Sequence, residues 1–276
     1  MRTARSFDLH THSNYSDGTL GPAEVVERAR RCGVELLSIT DHDSTSGLAD
    51  GARQARTLGI RLLPGVEINT NSDKQIHILG YGIRADSGVL QEKLKDYRRR
   101  RAARVEKILS QLRDVGLEVG LSDIEGVSKE SWGRPHVADA LKKKGYVGER
   151  QEAFDRYLTL GKPGYVASFG PSPAEAITTI VEAGGAACLA HPGIVRGGLD
   201  LHGLKALGLE GLEVFYRSHT RVLTANLKAQ AQALGLLMTG GSDFHGPGTG
   251  RADIGGVDFP AEDAQILAER FFSLCV

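Results

Sequence analysis

Short apolar runs alternate with longer amphipathic stretches over most of the chain. The apolar runs predict strands at 7–12, 35–40, 61–68, 75–81, 186–191, 212–216 and 236–240. Helical periodicity predicts helices at 22–32, 48–58, 173–183 and 220–234. The first helix opens at Thr19-Leu20-Gly21-Pro22, where a proline in the first turn is a start signal. Gly33, Gly59, Gly184 and Gly235 each stand between a predicted helix and a predicted strand, the position where a left-handed residue closes a helix. Strand-then-helix alternation predicts an α/β fold with parallel strands and helices outside.

The alternation stops at Gly88 and resumes after Pro163. Residues 90–115 carry one long charged helical pattern with Arg98-Arg99-Arg100-Arg101 and Arg104, and further helical sequence covers 136–144 and 149–157. These patterns predict a barrel domain from residues 1–87 and 164–276, with a helical insertion at 88–163 as a cap. The insertion closes at Gly161-Lys162-Pro163-Gly164-Tyr165. Lys95, Glu106 and Lys107 flank the arginine run, which therefore reads as a solvated helix face and not as a large nucleic-acid surface.

Composition narrows the partners. Hydrophobic residues make up 41% of the 276 and charged residues 25%, enough to bury a sizeable core. Net charge is +0, so affinity for a polyanion must come from a local patch. Cys32, Cys188 and Cys275 lack metal-type or disulfide spacing, and Cys188 in the apolar run 186–190 predicts a small buried thiol. Arg2 and Arg5 precede Phe7-Asp8-Leu9-His10 instead of an apolar signal core, and no run approaches membrane-span length. The expectation is a cytoplasmic protein without a membrane partner.

Candidate chemistry sits at the ends of the apolar runs. His10-Thr11-His12, Asp17, Asp41-His42-Asp43, Glu67, His77, His191-Pro192 and Asp243-Phe244-His245 form the series, which holds six of the nine histidines. His10 and His12 are two apart on a strand, so both side chains leave the same face. Taken singly, Glu67 or His77 reads as structural, and His-x-His is only a moderate signal. Taken together, so many ionisable groups on inward positions need cations to offset their burial. Imidazole mixed with carboxylate suits Zn, Mn or Fe better than Ca or Mg. The donors exceed what one tetrahedral ion can use, which predicts two or three divalent ions bridged by a carboxylate such as Glu67. Convergence of distant strand ends favours a (β/α) barrel over an open sheet.

Asp8-Leu9-His10-Thr11-His12-Ser13, Tyr15-Ser16-Asp17-Gly18-Thr19, Thr40-Asp41-His42-Asp43, Gly65-Val66-Glu67, His77, Ala190-His191-Pro192 and Ser242-Asp243-Phe244-His245 resemble the PHP (polymerase and histidinol phosphatase) metallophosphoesterases. The resemblance implies a distorted seven-stranded (β/α) barrel holding up to three metals, Mn2+ first, with Zn2+ or Fe2+ as alternatives. It implies one ion at His10, His12, Glu67 and Asp243, a second at Glu67, His77 and His191, and a third at Asp17, His42 and His245. Asp17, His42, Glu67, Asp243 and His245 would serve the reaction directly. Asp41 and Asp43 look like groups that fix imidazole orientation.

Within the insertion, Gly133-Arg134-Pro135-His136-Val137-Ala138 and Gly161-Lys162-Pro163-Gly164-Tyr165-Val166 resemble a narrower branch, the 3′,5′-nucleoside bisphosphate phosphatases and related 5′-to-3′ exoribonucleases. Arg134 offers phosphate a bidentate fork and Lys162 a point charge. His136, Arg217 and His219 are further candidates for anion contact. The implied activity is removal of the 3′-phosphate from a 3′,5′-nucleoside bisphosphate such as pAp, with trimming of short 5′-phosphorylated oligoribonucleotides. A histidinol-phosphate phosphatase is the first rival. A catalytically silent PHP binding module is the second, and the complete ligand set argues against it. Tyr15 and Trp132 could stack on a base, and His202 reads as an outer-helix residue. Gly240-Gly241-Ser242 is not a phosphate loop, because no lysine follows and no helix opens there.

Overall fold

The computed structural model describes residues 6–72, 74–124, 132–195 and 197–276, so Arg2 and Arg5 lie outside the described residues. Seven strands form one sheet in sequence order: β1 (Phe7–Thr11), β2 (Leu36–Ile39), β3 (Arg61–Asn69), β4 (His77–Tyr81), β5 (Ala186–Leu189), β6 (Gly211–Tyr216) and β7 (Leu237–Gly241). Each lies where an apolar run predicts it. Thr11 of β1 bridges Phe244 just beyond β7, His12 N–H donates to Phe244 O at 2.8 Å, and Asp243 N–H donates to His10 O at 2.9 Å. These contacts turn the sheet into a distorted barrel.

One expectation fails. β4 runs antiparallel to both β3 and β5, while the other neighbouring pairs within the sheet order are parallel. The link 70–76 between β3 and β4 is too short for a crossover helix, so the chain can only fold back. The strand–helix rhythm elsewhere hides this reversal, although no predicted helix separates the runs at 61–68 and 75–81.

Helices α1 (Pro22–Arg31), α2 (Leu48–Leu58), α6 (Pro173–Glu182) and α8 (Arg221–Leu234) match the periodic stretches, and all four predicted closing glycines have positive φ. α7 (Leu201–Ala206) is the outer helix on which His202 was expected, and His202 is exposed there, whereas α9 (Ala261–Phe271) was not anticipated. Between β4 and α6 lie α3 (Gly88–Asp114), α4 (Arg134–Lys143) and α5 (Arg150–Ala153), the last running into a π-helical turn, Phe154–Leu158.

The apolar side chains sort into separate clusters. Val25, Val26, Leu37, Ile39 and Leu62 pack α1 and α2 onto the early strands. A larger cluster joins the remaining strands to α6 and α9 and includes Leu90, Leu94 and Tyr97 from the first half of α3. The second half of α3 gives Val105, Ile108 and Leu112 to another cluster with Trp132, Val137, Leu141 and Leu158. Each fully buried Leu or Ile contributes about 1.5–3 kcal/mol. α3 therefore belongs to both bodies and ties the insertion to the barrel. Trp132 is a core residue of the insertion, only 6% exposed, and presents no face for a base; Tyr15 is 36% exposed. Cys188 is fully buried as expected, and the three cysteines are unpaired. Among the described residues no helix is long and apolar enough to cross a membrane.

Candidate metal centre

β1 delivers His10 and His12 to one end of the barrel with no exposed surface. Around them gather Asp17, His42, Glu67, His77, His191, Asp243 and His245, all buried except the half-buried His77. The nine expected ligand side chains thus meet in one place. Backbone strain accompanies the gathering. His191 has φ +28° and Asp243 φ +54°, left-handed conformations that a non-glycine residue adopts only under tertiary constraint.

Glu67 stands at the centre. Its Oε2 lies 3.4 Å from His10 Nε2, 3.2 Å from His12 Nε2 and 3.0 Å from His42 Nδ1. Its Oε1 lies 2.9 Å from His77 Nδ1 and 3.1 Å from His191 Nε2. The two oxygens thus face two different sets of imidazoles. Asp243 Oδ1 is 3.5 Å from His10 Nε2 and 3.4 Å from His12 Nε2. Asp17 Oδ1 is 3.2 Å from His245 Nε2, and its Oδ2 is 3.7 Å from His42 Nε2. Three groups have donor atoms close enough to share an ion: His10, His12 and Glu67; Glu67, His77 and His191; and His12, Asp17, His42 and His245. His12 approaches the last group more closely than the sequence pattern implies, its ring stacked 4.2 Å from that of His245.

The electrostatics are those of a cage short of positive charge. Burial pushes Glu67, Asp17 and Asp243 up, yet the surrounding imidazoles, joined at Asp243 by Arg251, outweigh it and hold all three well below the carboxylate range. Burial lowers His10 and His12, but Glu213, Glu67 and Asp243 raise His10 well above neutrality, and contacts with Asp243 and Glu67 push His12 to about 9. Burial prevails at His42 and His77, which are lowered. Protons on some imidazoles stand in for cations. His10 Nε2, His12 Nε2 and Asp17 Oδ1 are buried without a hydrogen-bond partner, which is costly for polar atoms and is resolved by ligation. The donor set therefore fits divalent transition metals.

The supporting contacts differ in part from expectation. Asp41 accepts from Ser13 N–H at 2.8 Å and from the hydroxyls of Ser13 and Ser16 at 2.6 Å. It acts on His12 indirectly, through Ser16 Oγ at 3.3 Å from His12 Nδ1. Asp43 touches no imidazole; it pairs with Arg101 at 3.0 Å. The carboxylate that does meet a ring is Glu213 of β6, 3.0 Å from His10 Nδ1. Asp8 accepts from Ser242 N–H and Gly255 N–H, fastening β7 and the loop beyond it to β1. Each is a lone acid in an apolar strand, a pattern that marks a buried polar contact and was available in the sequence.

A cavity of about 1310 Å³ opens over the cluster and reaches α4 and α5 of the insertion. Its wall includes Asp17, Glu67 and Asp243 together with Arg101, Arg104, Arg134, Arg150, Arg217 and Arg251. A chain of zero net charge thus brings six arginines to the wall of one cavity. The arginine run is divided by helix geometry. Arg99 and Arg100 pair with Asp96 at the surface, while Arg98 donates to Asp43 O at 2.8 Å and Arg101 faces the site. The solvated-face reading holds for only half of the run.

Of the candidate substrate contacts, Arg134 and Arg217 line the cavity. Lys162 is exposed and is not among the lining residues. His136 accepts from Gly133 N–H through Nδ1 at 3.0 Å and so caps α4. His219 has both ring nitrogens engaged by backbone, Nδ1 with Val214 O at 3.1 Å and Nε2 with Gly193 N–H at 3.2 Å. Arg251, on a glycine-rich loop after β7, was not anticipated; it lies 2.7 Å from Asp243 Oδ2, which also accepts from the Tyr216 hydroxyl at 2.9 Å.

Comparison with known proteins agrees with this arrangement. The PHP domain family matches residues 8–146. Over 261 residues the chain is 38% identical to the 3′,5′-nucleoside bisphosphate phosphatase of Chromobacterium violaceum, covering 91% of this chain and 90% of the relative. It is 33% identical over 251 residues to the 5′-3′ exoribonuclease of Haemophilus influenzae, covering 88% and 91%. The solved structure of an amidohydrolase from Chromobacterium violaceum, with bound sulfate and no metal, aligns with a TM-score of 0.90 at 34% identity, over 98% of this chain and 97% of that one. On these grounds the chain belongs to the PHP domain family of metal-dependent phosphoesterases.

Proposed function

We propose that this protein removes the 3′-phosphate from 3′,5′-nucleoside bisphosphates, converting pAp to AMP and phosphate. The observation that carries the reading is one cavity whose wall holds both the acids and imidazoles of the cluster and Arg104, Arg134 and Arg150 from the helices between β4 and β5. A substrate with two phosphates can meet both kinds of group. Residues 88–163 act in this reading as a cap that supplies the arginines.

His10, His12, Glu67, His77, His191, Asp243, Asp17, His42 and His245 would hold two to three divalent ions, Mn2+ first, with Zn2+ and Fe2+ also suited to mixed donors. Bound there, such ions supply Lewis-acid polarisation of the phosphoryl oxygens and lower the pKa of a water from about 16 towards neutrality. The protein's own contribution is placement. Glu67 offers an oxygen to each side of the cluster, and Tyr216 and Arg251 hold one oxygen of Asp243 so that the other points inward. Arg134 orients the second phosphate, and its charge offsets part of the anion's. Arg104, whose Nε and Nη2 donate to Val166 O, adds positive charge to the same wall.

Short 5′-phosphorylated oligoribonucleotides form a second substrate class. A cavity of about 1310 Å³ exceeds the needs of a nucleoside bisphosphate, so the chain beyond the first nucleotide has room. Phosphate release from pAp and histidinol phosphate, and release of nucleoside 5′-monophosphate from a short 5′-phosphorylated RNA, each with Mn2+, test the assignment. The expected order places pAp first. Preference for histidinol phosphate would overturn the bisphosphate reading, and no turnover of any ester would indicate a silent binding module.

A further inference from the structure

Glu213 lies at the centre of β6, with no exposed surface. Its Oε1 is 3.0 Å from His10 Nδ1, and its Oε2 accepts the backbone N–H of His191 at 2.6 Å. His10 turns its other nitrogen, Nε2, toward Glu67 and Asp243, while His191 turns Nε2 toward the opposite oxygen of Glu67. One carboxylate therefore braces two imidazoles that face different oxygens of Glu67. His191 needs the brace, because its φ of +28° is unfavourable for a side-chain-bearing residue.

We infer that Glu213 is a positioning residue that sets the tautomer of His10 and the backbone of His191 together, and so couples two of the proposed ion sites. The inference rests on the metal-dependent reading given above. A carboxylate at 3.0 Å can only accept, so the neutral His10 ring that ligation requires carries its proton on Nδ1 and leaves Nε2 free for an ion. The same carboxylate accepts the His191 N–H, which holds that residue in its left-handed conformation. No carboxamide satisfies both contacts. If its oxygen faces His191 N–H, its NH2 confronts His10 Nδ1 and drives the proton to Nε2, the nitrogen needed for the ion. If its oxygen faces His10, NH2 confronts N–H at His191.

Glu213→Gln tests this with little change in volume. Metal-free wild type and variant are titrated with Mn2+, free Mn2+ being read by electron paramagnetic resonance, and the thermal midpoint of each metal-free protein is recorded. Loss of Mn2+ affinity by about 10- to 100-fold with an unchanged metal-free midpoint is expected. In a His10→Ala background the same change should cost less, since its main target is gone. Wild-type affinity in Glu213→Gln would overturn the inference. So would a loss of affinity that merely follows a fall in the metal-free midpoint, because Glu213 would then only support the fold. Failure of the wild type to take up Mn2+, Zn2+ or Fe2+ is a separate outcome, and it would overturn the metal-dependent reading instead.

Discussion

Arg101 of α3 donates to Asp43 Oδ2 at 3.0 Å, and this pair joins the insertion to the loop that carries His42. Both side chains are largely buried, and Asp43 sits at φ +52°. Arg98 holds the carbonyl of the same residue at 2.8 Å. α3 is thus attached to the barrel at a strained residue next to a proposed ligand. Burial raises the Asp43 carboxyl and Arg101 opposes the rise.

Arg101→Ala would strand that carboxylate. Removing one partner of a buried pair costs about 3–5 kcal/mol, near the lower end here because the arginine keeps some solvent contact. Urea unfolding should show the loss, and Asp43→Asn in the Arg101→Ala background should recover part of it. Strictly additive losses would mean the pair contributes no coupling.

Metal depletion tests the centre as a whole. An ion at about 100 times its Kd adds about 2.7 kcal/mol per site, so chelation should lower the thermal midpoint by several degrees. His12→Ala and Asp243→Ala should abolish phosphate release, retain the far-ultraviolet circular dichroism of the wild type, and lose much of the Mn2+-dependent rise. Full activity in metal-depleted protein would end the proposed mechanism.

How far the sequence foretold the molecule depends on the kind of information involved. Strand positions and the ligand series were legible, because apolar runs and mixed His/Asp/Glu signals are local. The reversal of β4 stayed hidden behind the alternation elsewhere, although the short gap between the runs at 61–68 and 75–81 leaves no room for a crossover helix. The inward turn of Arg98 and Arg101 was equally hidden. It requires knowing that Asp43 lies across from α3, and the charged neighbours point the other way. Glu213 was visible as a lone acid in an apolar strand, yet it carries no metal-ligand motif.

Substrate contacts separate by geometry. Arg134 lines the cavity and Lys162 does not, although both stand in motifs of the same branch. A charge-assisted hydrogen bond contributes about 1.5–3 kcal/mol. Arg134→Ala should therefore raise KM for pAp by about tenfold or more, while Lys162→Ala leaves it near wild type. Equal effects of the two substitutions would remove Arg134 from its proposed role.

His136 predicts a pH effect on stability. Burial lowers its pKa, and its Nδ1 must stay unprotonated to accept Gly133 N–H at the start of α4. In the unfolded chain the ring titrates near its ordinary value of about 6.5. The unfolded state therefore binds more protons below that value, and stability contributed by His136 is lost as the pH falls through it. The difference in midpoint between wild type and His136→Asn should be larger at pH 7.5 than at pH 5. A difference independent of pH would mean the ring is protonated alike in both states.

Gly241 offers the sharpest steric test of how the barrel places its first ligand. Gly240-Gly241 resembles a phosphate loop only superficially; the glycines are there because β7 passes against its neighbours with no room for a side chain. A Cβ on Gly241 would lie 2.4 Å from His10 Cβ and 2.5 Å from His10 N, and the latter is backbone that cannot swing aside. Gly241→Ala must push β1 and β7 apart where Asp243 N–H meets His10 O. Overpacking of this kind costs about 1–3 kcal/mol. The displacement also moves His10 away from Glu67, so Mn2+ affinity should fall together with stability. Gly235→Ala provides the contrast, since that left-handed glycine ends α8, and the nearest atom a Cβ would meet is Lys205 Nζ at 3.9 Å. It should cost stability without weakening metal binding. Equal Mn2+ affinity in the two variants would show that the β1–β7 contact does not govern where His10 stands.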